Sequence, residues 1–330
     1  MDTSINPLYQ NIGDELNLGI LSSVDVIQTL WGGYGELVRL TFSDKSIIVK
    51  HVKLPKPSRH PRGWNSDLSH QRKLHSYQVE VNWYQEFSKS IDRRCRIPQG
   101  LKCFQTRNEW LIVMEDLDTA GFGSTVQQAN TNHLRACLKW LANFHARYMN
   151  TQSNLIWEKG TYWHLDTRPD ELEVLKDEEL KQFASRIDNE LEQTQYRTIV
   201  HGDAKLANFC FNDEGTSAAA VDFQYVGHGC GMKDIAYFMS SAVKPEDCDK
   251  MGKWVLDTYF AALQEALRYY QPKLEGIQIE KEWRPLFDIA WADFQRFIKG
   301  WSPNHYKINS YSEELTSRAL AYLKSKYISN

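Results

Sequence analysis

The chain has 330 residues, of which 42% are hydrophobic and 25% are charged. This length suffices for one large domain or two smaller ones, and the composition excludes collagen-like, low-complexity and largely disordered chains. The formal net charge of −3 lacks the basic excess that is typical of non-specific nucleic-acid binding.

The N-terminal residues 1–13 are polar and contain no apolar signal core. No stretch of the sequence approaches the roughly 18–20 apolar residues that are needed to span a bilayer. The six cysteines form no CxxC pair and are too sparse for a disulfide scaffold, so we expect free thiols. These observations favour a cytoplasmic protein that has neither a membrane nor a nucleic acid as its partner.

The first third of the chain is rich in β-favouring residues. We predict strands at 25–30, 37–42, 46–52, 101–104 and 110–114, a helix at 77–89, and a tight turn at 43–45. The polar stretch 55–76 predicts a solvated loop, with phosphate or partner binding as the alternative. The polar, glycine-containing segment 115–124 predicts a domain boundary.

The pattern then becomes helical. An apolar stripe with spacings of three and four residues predicts a core-facing helix; its members are Leu134, Leu138, Leu141, His145 and Tyr148. Further helices are predicted at 251–270, 282–300 and 312–327, and short strands at 198–200, 210–211 and 219–223. Ser310 and Glu313 have the spacing of a capping box for the last helix.

The strongest motif is HGDAKLAN at 201–208, followed by VDFQ at 221–224. Both lie at the ends of short apolar strands, where side chains project out of the core. Asp203 can accept a proton from an attacking hydroxyl, whereas Asp222 and the amide oxygen of Asn208 are hard ligands that suit Mg²⁺. Each residue alone is common in turns, but the joint pattern indicates phosphoryl transfer.

A glycine-rich turn between two predicted strands supplies a second candidate site. Gly32, Gly33 and Gly35 would let a β-hairpin lay its N–H groups over phosphates; a simple tight turn is the alternative. Lys50 ends the following strand, and Glu80 lies on the next helix. A strand lysine that pairs with a helix glutamate can hold nucleotide phosphates.

Together these motifs resemble the protein-kinase-like superfamily, and most closely its small-molecule branch, which includes the aminoglycoside phosphotransferase, choline kinase and ecdysteroid-kinase-like families. The resemblance spans about residues 26–238. It implies an α+β, two-lobed protein-kinase-like fold, with a strand-rich nucleotide-binding lobe at 1–116 and a mostly helical catalytic and substrate-binding lobe at 117–330. ATP and Mg²⁺ would bind in the cleft, and the γ-phosphoryl group would pass to a hydroxyl of a small-molecule alcohol.

The resemblance also implies a role for each motif residue in the second half of the chain. Asp203 would be the catalytic carboxylate, with Lys205 beside the transferred phosphoryl group. Asn208 and Asp222 would hold Mg²⁺. Asp234, in the DIAYF segment at 234–238, would anchor the catalytic loop.

In the first half of the chain, Lys50 would contact the nucleotide phosphates and pair with Glu80. A hinge would meet the adenine with its backbone; it consists of Met114, Glu115, Asp116 and Leu117.

Two departures separate the chain from protein kinases. Gln224 stands where protein kinases have a glycine, and only eleven residues lie between Asp222 and Asp234, which leaves no room for a long activation segment. A small-molecule kinase is therefore favoured, and an inactive nucleotide-binding pseudokinase and a protein kinase are the alternatives. Choline-like amines, amino sugars, sterols and other alcohols remain open as acceptors, as does the oligomeric state.

Three further features have two interpretations each. His145 is either a hydrogen-bonded core histidine or a catalytic one, and the glycine-rich segment 227–231 either lines the substrate site or is a flexible loop. Clustered aromatics form either a pocket for amines or ordinary core; they are Tyr162, Trp163, Trp283, Trp291, Phe294 and Trp301, with His164, Asp293 and Arg296 interleaved.

Overall fold

A computed structural model describes residues 6–43, 45–53, 67–106 and 109–327. The chain forms two compact units, one of Met1–Ile91 and Ile97–Gly123 and the other of Asp92–Arg96 and Ser124–Asn330. The boundary predicted between residues 116 and 117 stays a prediction. None of the helices in the described ranges has both the length and the apolar character that crossing a membrane requires.

The first unit is a five-stranded antiparallel sheet with the strand order β1-β2-β3-β5-β4 and two helices. Its elements are α1 (Pro7–Glu15), β1 (Leu21–Thr29), β2 (Gly35–Phe42), β3 (Lys45–Lys53), α2 (Asp67–Asn82), β4 (Gly100–Gln105) and β5 (Glu109–Glu115). Alternate residues of the central strands, among them Val38, Leu40 and Val49, pack on Tyr9 and Ile12 of α1. The five predicted strands are confirmed.

The loop predicted at 55–76 is wrong in its second part, because α2 begins at Asp67. Apolar periodicity detects only the buried turns of this helix, which start near Tyr77. The preceding turns are polar, but they contain good helix formers such as Arg72, Lys73 and Leu74. Residues 55–66 lie outside the described residues.

The second unit is mostly helical and contains two small antiparallel sheets, β6 with β9 and β7 with β8. Its elements are α3 (Thr131–Arg147), α4 (Pro169–Glu173), α5 (Glu178–Glu192), β6 (Thr198–Val200), β7 (Phe209–Phe211), β8 (Ala218–Ala220), β9 (Gly227–Gly229), α6 (Met232–Ala242), α7 (Cys248–Tyr270), α8 (Gly276–Trp283), α9 (Leu286–Trp301) and α10 (Ser310–Tyr327). The predicted α+β class, strand-rich first and mostly helical afterwards, is confirmed. All six cysteines are free, as predicted.

Two helix predictions need correction. The single helix predicted at 282–300 is divided between α8 and α9 at Pro285, which has no N–H to continue a helical ladder. The predicted capping box is displaced by one residue. Asn309 caps α10, because its Oδ1 accepts from the Ser312 N–H at 3.1 Å, while its own N–H donates to the Ser312 Oγ at 2.9 Å.

The glycine-rich segment 227–231 is not a flexible loop, because it begins with the buried strand β9, which pairs with β6. The strand predicted at 219–223 ends at Ala220. Helices α1, α4, α5 and α6 add to the predicted set. Of these, α5 could have been predicted from the sequence, because its apolar residues form a stripe at helical spacing: Leu180, Phe183, Ile187 and Leu191.

Candidate active site

The loop that follows β6 is anchored from behind by the buried carboxylate of Asp234. The backbone N–H groups of His201 and Gly202 donate to its two oxygens at 2.6 and 2.9 Å. One of these oxygens also lies 3.1 Å from Nε2 of His145, whose Nδ1 lies 2.8 Å from the Tyr259 hydroxyl. Asp234 therefore orients the loop, and His145 is a hydrogen-bonded core histidine.

Gly202 sets the path of the loop immediately before Asp203. It has a φ of +79°, and a Cβ at this position would lie 2.0 Å from the carbonyl oxygen of Tyr225. Only glycine fits, because both the backbone angle and the space exclude a side chain. The Gly202 carbonyl accepts from the Tyr162 N–H at 3.2 Å, which joins the loop to the segment before α4.

Asp203 is buried, and its two carboxylate oxygens have different surroundings. Oδ2 accepts from Nζ of Lys205 at 2.9 Å and from Nδ2 of Asn208 at 3.1 Å. Oδ1 is buried and makes no hydrogen bond of ordinary geometry with the described residues, although the Tyr237 hydroxyl lies close enough to interact with the carboxylate. A buried carboxylate oxygen without a well-placed donor is costly, so Oδ1 is a position at which a ligand hydroxyl can donate.

The β7–β8 hairpin brings Asn208 and Asp222 to the same open end. The Val221 N–H donates to the Asn208 carbonyl at 3.0 Å, and Asp222 follows directly. Asp222 has a φ of +70°, which is uncommon for a residue with a side chain and is characteristic of functional positions. Its Oδ1 accepts from Nε2 of Gln224 at 2.7 Å.

The side-chain oxygens of Asn208 and Asp222 are ligands that fit Mg²⁺. Nδ2 of Asn208 is used by Asp203, which leaves the amide oxygen to face a ligand, and Asp222 offers a carboxylate. Mg²⁺ commonly takes one or two protein oxygens and completes its shell with phosphates and water. In the described part of the chain, no group of three or more His, Cys, Asp and Glu side chains is placed to hold a metal ion.

In the first unit, Lys50 and Glu80 form a buried ion pair. Nζ of Lys50 lies 2.7 Å from Oε2 of Glu80, and the two residues are 5% and 1% exposed. The partnership predicted from the sequence is therefore present. A buried pair of this kind holds the ammonium in one position.

The glycine-rich turn precedes β2. Gly32 and Gly33 have φ values of +72° and +76°, and Gly35 has +123°. At Gly35 a Cβ would lie 2.0 Å from the carbonyl oxygen of His51 on β3, so this position requires glycine. The other two glycines are compatible with either the phosphate-binding or the simple-turn interpretation.

The predicted hinge consists of the last two residues of β5 and the two residues that follow it. Met114 and Leu117 are buried, the Glu115 N–H donates to a backbone carbonyl at 2.9 Å, and the Leu117 carbonyl accepts two bonds from the following turn. The Asp116 carboxylate accepts from Arg39 at 2.7 and 3.2 Å. Burial opposes ionisation of Asp116, but its hydrogen bonds hold its pKa below the usual value. The Asp116 side chain thus joins β2 to the end of β5, and the hinge role of the backbone stays a prediction.

The clustered aromatics belong largely to the core. Trp163, Trp283 and Trp291 are at most 2% exposed. Asp293 is 1% exposed, lies 2.9 Å from the Arg296 guanidinium and accepts from the Trp163 indole N–H at 3.0 Å. The packing interpretation therefore holds for Trp291 and Asp293, while Tyr162 and Trp301 are half-buried.

Replacing Asp293 by alanine should reduce the free energy of unfolding by about 3–5 kcal/mol, because it leaves the buried Arg296 guanidinium without its carboxylate. Chemical denaturation measures the change. Asp257→Ala is the matched control, because Asp257 is exposed and its loss should cost less than about 1 kcal/mol. Equal small losses for the two variants would show that Asp293 does not stabilise the core.

Two residues that interact electrostatically with Asp203, Tyr237 and Lys307, were not predicted as site residues. The Tyr237 hydroxyl lies 3.3 Å from the Tyr162 hydroxyl. Burial raises the pKa of both phenols and the charge of Asp203 adds to the effect, so both stay protonated donors at neutral pH. Nζ of Lys307 lies 4.4 Å from the Tyr237 ring centroid. Tyr237 falls in the DIAYF segment, but no sequence pattern marks Lys307.

A family model described as the ecdysteroid kinase-like family matches residues 43–158 and 158–271. No curated protein matches the chain.

Several solved structures are similar to this chain. Choline kinase LicA from Streptococcus pneumoniae is 13% identical, with a TM-score of 0.45, and the match covers 97% of this chain and 100% of that one. A microcompartment-associated aminopropanol kinase is 13% identical, with a TM-score of 0.49 and coverages of 96% and 97%. Aminoglycoside 2'-phosphotransferase-IIIa in its GDP complex is 11% identical, with a TM-score of 0.48 and coverages of 96% and 99%.

Proposed function

Because the chain belongs to the ecdysteroid kinase-like family, we propose that it transfers the γ-phosphoryl group of ATP, with Mg²⁺, to a hydroxyl of a small molecule. The family and the fold indicate a small-molecule kinase-like phosphotransferase, in line with the resemblance of the motifs. The observation that carries the proposal is the buried Asp203 carboxylate, whose Oδ2 is held by two donors while its Oδ1 makes no hydrogen bond of ordinary geometry with the described residues. A cytoplasmic location belongs to the same proposal.

Asp203 would orient the acceptor hydroxyl and take its proton. Lys205 and Asn208 hold Oδ2, so the carboxylate cannot rotate without losing two hydrogen bonds. Oδ1 would receive the hydroxyl, and a positioned general base of this kind contributes about 10²–10⁴ in rate. Lys205, beside the carboxylate, would neutralise negative charge on the transferred phosphoryl group.

The remaining motif residues would hold the nucleotide. Lys50, fixed by Glu80, would bind phosphate oxygens, and the glycine-rich turn would donate backbone N–H groups. Asn208 and Asp222 would hold Mg²⁺, which neutralises phosphate charge when it is bound. The predicted hinge at 114–117 would meet the adenine.

The segment between Asp222 and Asp234 supports a small acceptor. It is short, and it consists of a turn, the buried strand β9 and the start of α6. Protein kinases need an exposed segment at this position to dock a peptide. In this chain most residues of the segment are instead buried in the core. A small molecule needs no such platform.

Replacing Asp222 by asparagine should abolish most of the Mg²⁺-dependent tightening of ATP binding, because it removes a negative charge from the proposed metal site. Asparagine tolerates the positive φ of this position, whereas alanine would add backbone strain. Calorimetric titration with ATP, with and without Mg²⁺, measures the effect. Asp213→Asn, on the exposed β7–β8 turn, is the control. An undiminished Mg²⁺ effect would assign Asp222 a structural role.

The proposed function is tested by release of ADP from ATP and Mg²⁺ in the presence of a panel of alcohols. The panel should include amino alcohols, amino sugars, sterols and simple diols. We expect at least one alcohol to stimulate ADP release, and the stimulation to disappear in Asp203→Asn. A chain that binds ATP but turns over no acceptor would be the pseudokinase alternative. Phosphate transfer to peptides alone would indicate a protein kinase.

A further inference from the structure

The side chain of Tyr34 joins the glycine-rich turn to helix α2. Tyr34 lies between two glycines of positive φ, and its hydroxyl lies 2.8 Å from Nδ1 of His70 on α2. Its ring centroid lies 6.0 Å from that of Tyr77, which is on the same helix. The Tyr34 carbonyl also accepts from the Lys53 N–H of β3 at 2.8 Å. Tyr34 is thus held by the sheet through its backbone and by α2 through its side chain.

The turn needs support of this kind if it is to bind phosphates. Gly32, Gly33 and Gly35 all have positive φ, and glycine loses more conformational entropy on ordering than any other residue. Among the described residues, no atom lies within 4 Å of a Cβ built at Gly33, so this side of the turn is open. Ordering a flexible turn when its ligand arrives would reduce the affinity, and a turn that is held beforehand avoids this cost.

Helix α2 relates the Tyr34 contact to the Lys50–Glu80 ion pair. Glu80 follows His70 by ten residues on this helix, which is about 15 Å along its axis. Residues 68–75 of α2 are exposed or half-buried, whereas most residues from Ser76 onward are buried. Tyr34 therefore contacts the less buried half of the helix that fixes Lys50 with its other half.

We propose that Tyr34 is a positioning residue that couples the glycine-rich turn to the first half of α2, so that ATP binding at the turn protects this half from local unfolding. The proposal rests on the proposed function, because it takes the turn as a binding site for the ATP phosphates. Coupling between two equilibria is reciprocal. A substitution that loosens the first half of α2 by breaking this contact must therefore also weaken ATP binding.

The first experiment needs no ligand and measures hydrogen exchange by mass spectrometry. Tyr34→Phe keeps the ring and removes the hydroxyl, and His70→Ala removes the partner while alanine favours the helix. The amides of residues 71–76 are the first in α2 that have intrahelical acceptors. We expect each substitution to speed their exchange about three- to tenfold, as the loss of one hydrogen bond allows.

The double variant shows whether the two substitutions act on the same contact. It should exchange no faster at 71–76 than His70→Ala alone, because both changes remove one hydrogen bond. Exchange in β2 and β3 should stay as in the wild type. Unchanged exchange at 71–76 in both single variants, or fully additive effects, would overturn the proposal. A rise across the whole first unit would show instead that Tyr34 only stabilises the fold.

The second experiment adds ATP and Mg²⁺. We expect saturating ATP to slow exchange at 71–76 at least threefold in the wild type. This protection should be lost in Tyr34→Phe, while the amides near Glu80 stay protected. Calorimetric titration should show a Kd for ATP that is about three- to tenfold higher in Tyr34→Phe and in His70→Ala, since each loses the same single hydrogen bond.

Tyr270→Phe is the matched control for both experiments. It removes a hydroxyl that lies 2.8 and 2.9 Å from the two carboxylate oxygens of Asp92 in the second unit. It should change neither the exchange at 71–76 nor the Kd for ATP. A Tyr270→Phe effect as large as that of Tyr34→Phe would overturn the specific role of Tyr34.

The two experiments separate the possible failures. ATP that binds without slowing exchange at 71–76, or that binds equally well to the wild type and both variants, overturns the coupling and leaves the proposed function standing. Absence of ATP binding to the wild type counts against the proposed function and against coupling to ATP. The ligand-free experiment then still decides whether Tyr34 holds the first half of α2.

Discussion

Replacing Asp203 by asparagine should reduce turnover at least 100-fold while ATP binding changes by no more than a few-fold. Asparagine has the same size and can still accept from Lys205 and Asn208 through one oxygen. The group that replaces Oδ1 is then an amide N–H₂, which donates and cannot take a proton from a hydroxyl. General-base removal typically costs about 10²–10⁴ in rate, and turnover with the best acceptor from the screen measures it.

Asp213→Asn is the matched control for this substitution, because it removes the same charge from an exposed turn of the same unit. Titration calorimetry with ATP shows whether nucleotide binding is preserved. Turnover within threefold of the wild type would falsify the base assignment. A loss of ATP binding as large as the loss of turnover would indicate that Asp203 serves the nucleotide instead.

The second large effect concerns stability. Replacing Asp234 by alanine should reduce the free energy of unfolding by about 3–5 kcal/mol. Two buried backbone N–H groups, those of His201 and Gly202, would lose their acceptor, and His145 would lose one of its two hydrogen-bond partners. Each unsatisfied buried donor costs about 1–3 kcal/mol, against a total stability of about 5–15 kcal/mol for typical domains.

Chemical denaturation measures this loss, and Asp249→Ala, on the exposed first turn of α7, is the control. We also expect activity to fall in any Asp234→Ala protein that remains folded, because the loop that carries Asp203 would lose its anchor. A folded variant with wild-type stability would show that the loop has other sufficient support.

The sequence predicted most of the candidate catalytic and metal-binding residues as one cluster, because these residues are close in the chain. Asp203, Lys205 and Asn208 fall within one short run after β6, and Asp222 follows a hairpin of two short strands. Their residue types and spacing are preserved on folding, since a loop held at both ends by strands has few conformations. The Lys50–Glu80 pair was also predicted, because a strand lysine and a helix glutamate in sequence order have a recognisable pattern.

Other features could not be predicted from the sequence, because they depend on which side chains the fold buries and which strands it pairs. A tryptophan and an aspartate on one helix suit either an amine pocket or a core, and only burial identifies Trp291 and Asp293 as core. The polar start of α2 has no apolar stripe, so periodicity could not detect it. The strand β9 consists of Gly227, His228 and Gly229, which have low β-propensity and form a strand only because β6 supplies its partner.

Sequence alone determined the family of this protein, its strand-rich and helical parts and the residues that gather around Asp203, since these are encoded by local patterns and short spacings. Tertiary structure alone decided that the Lys307 ammonium, far from Tyr237 in the chain, lies 4.4 Å from the centroid of the Tyr237 ring. The physical reason is that a lysine in a polar turn has no periodicity or motif. Its position and charge are set by the packing of α6, α9 and the turn before α10, which residues distant in sequence determine together.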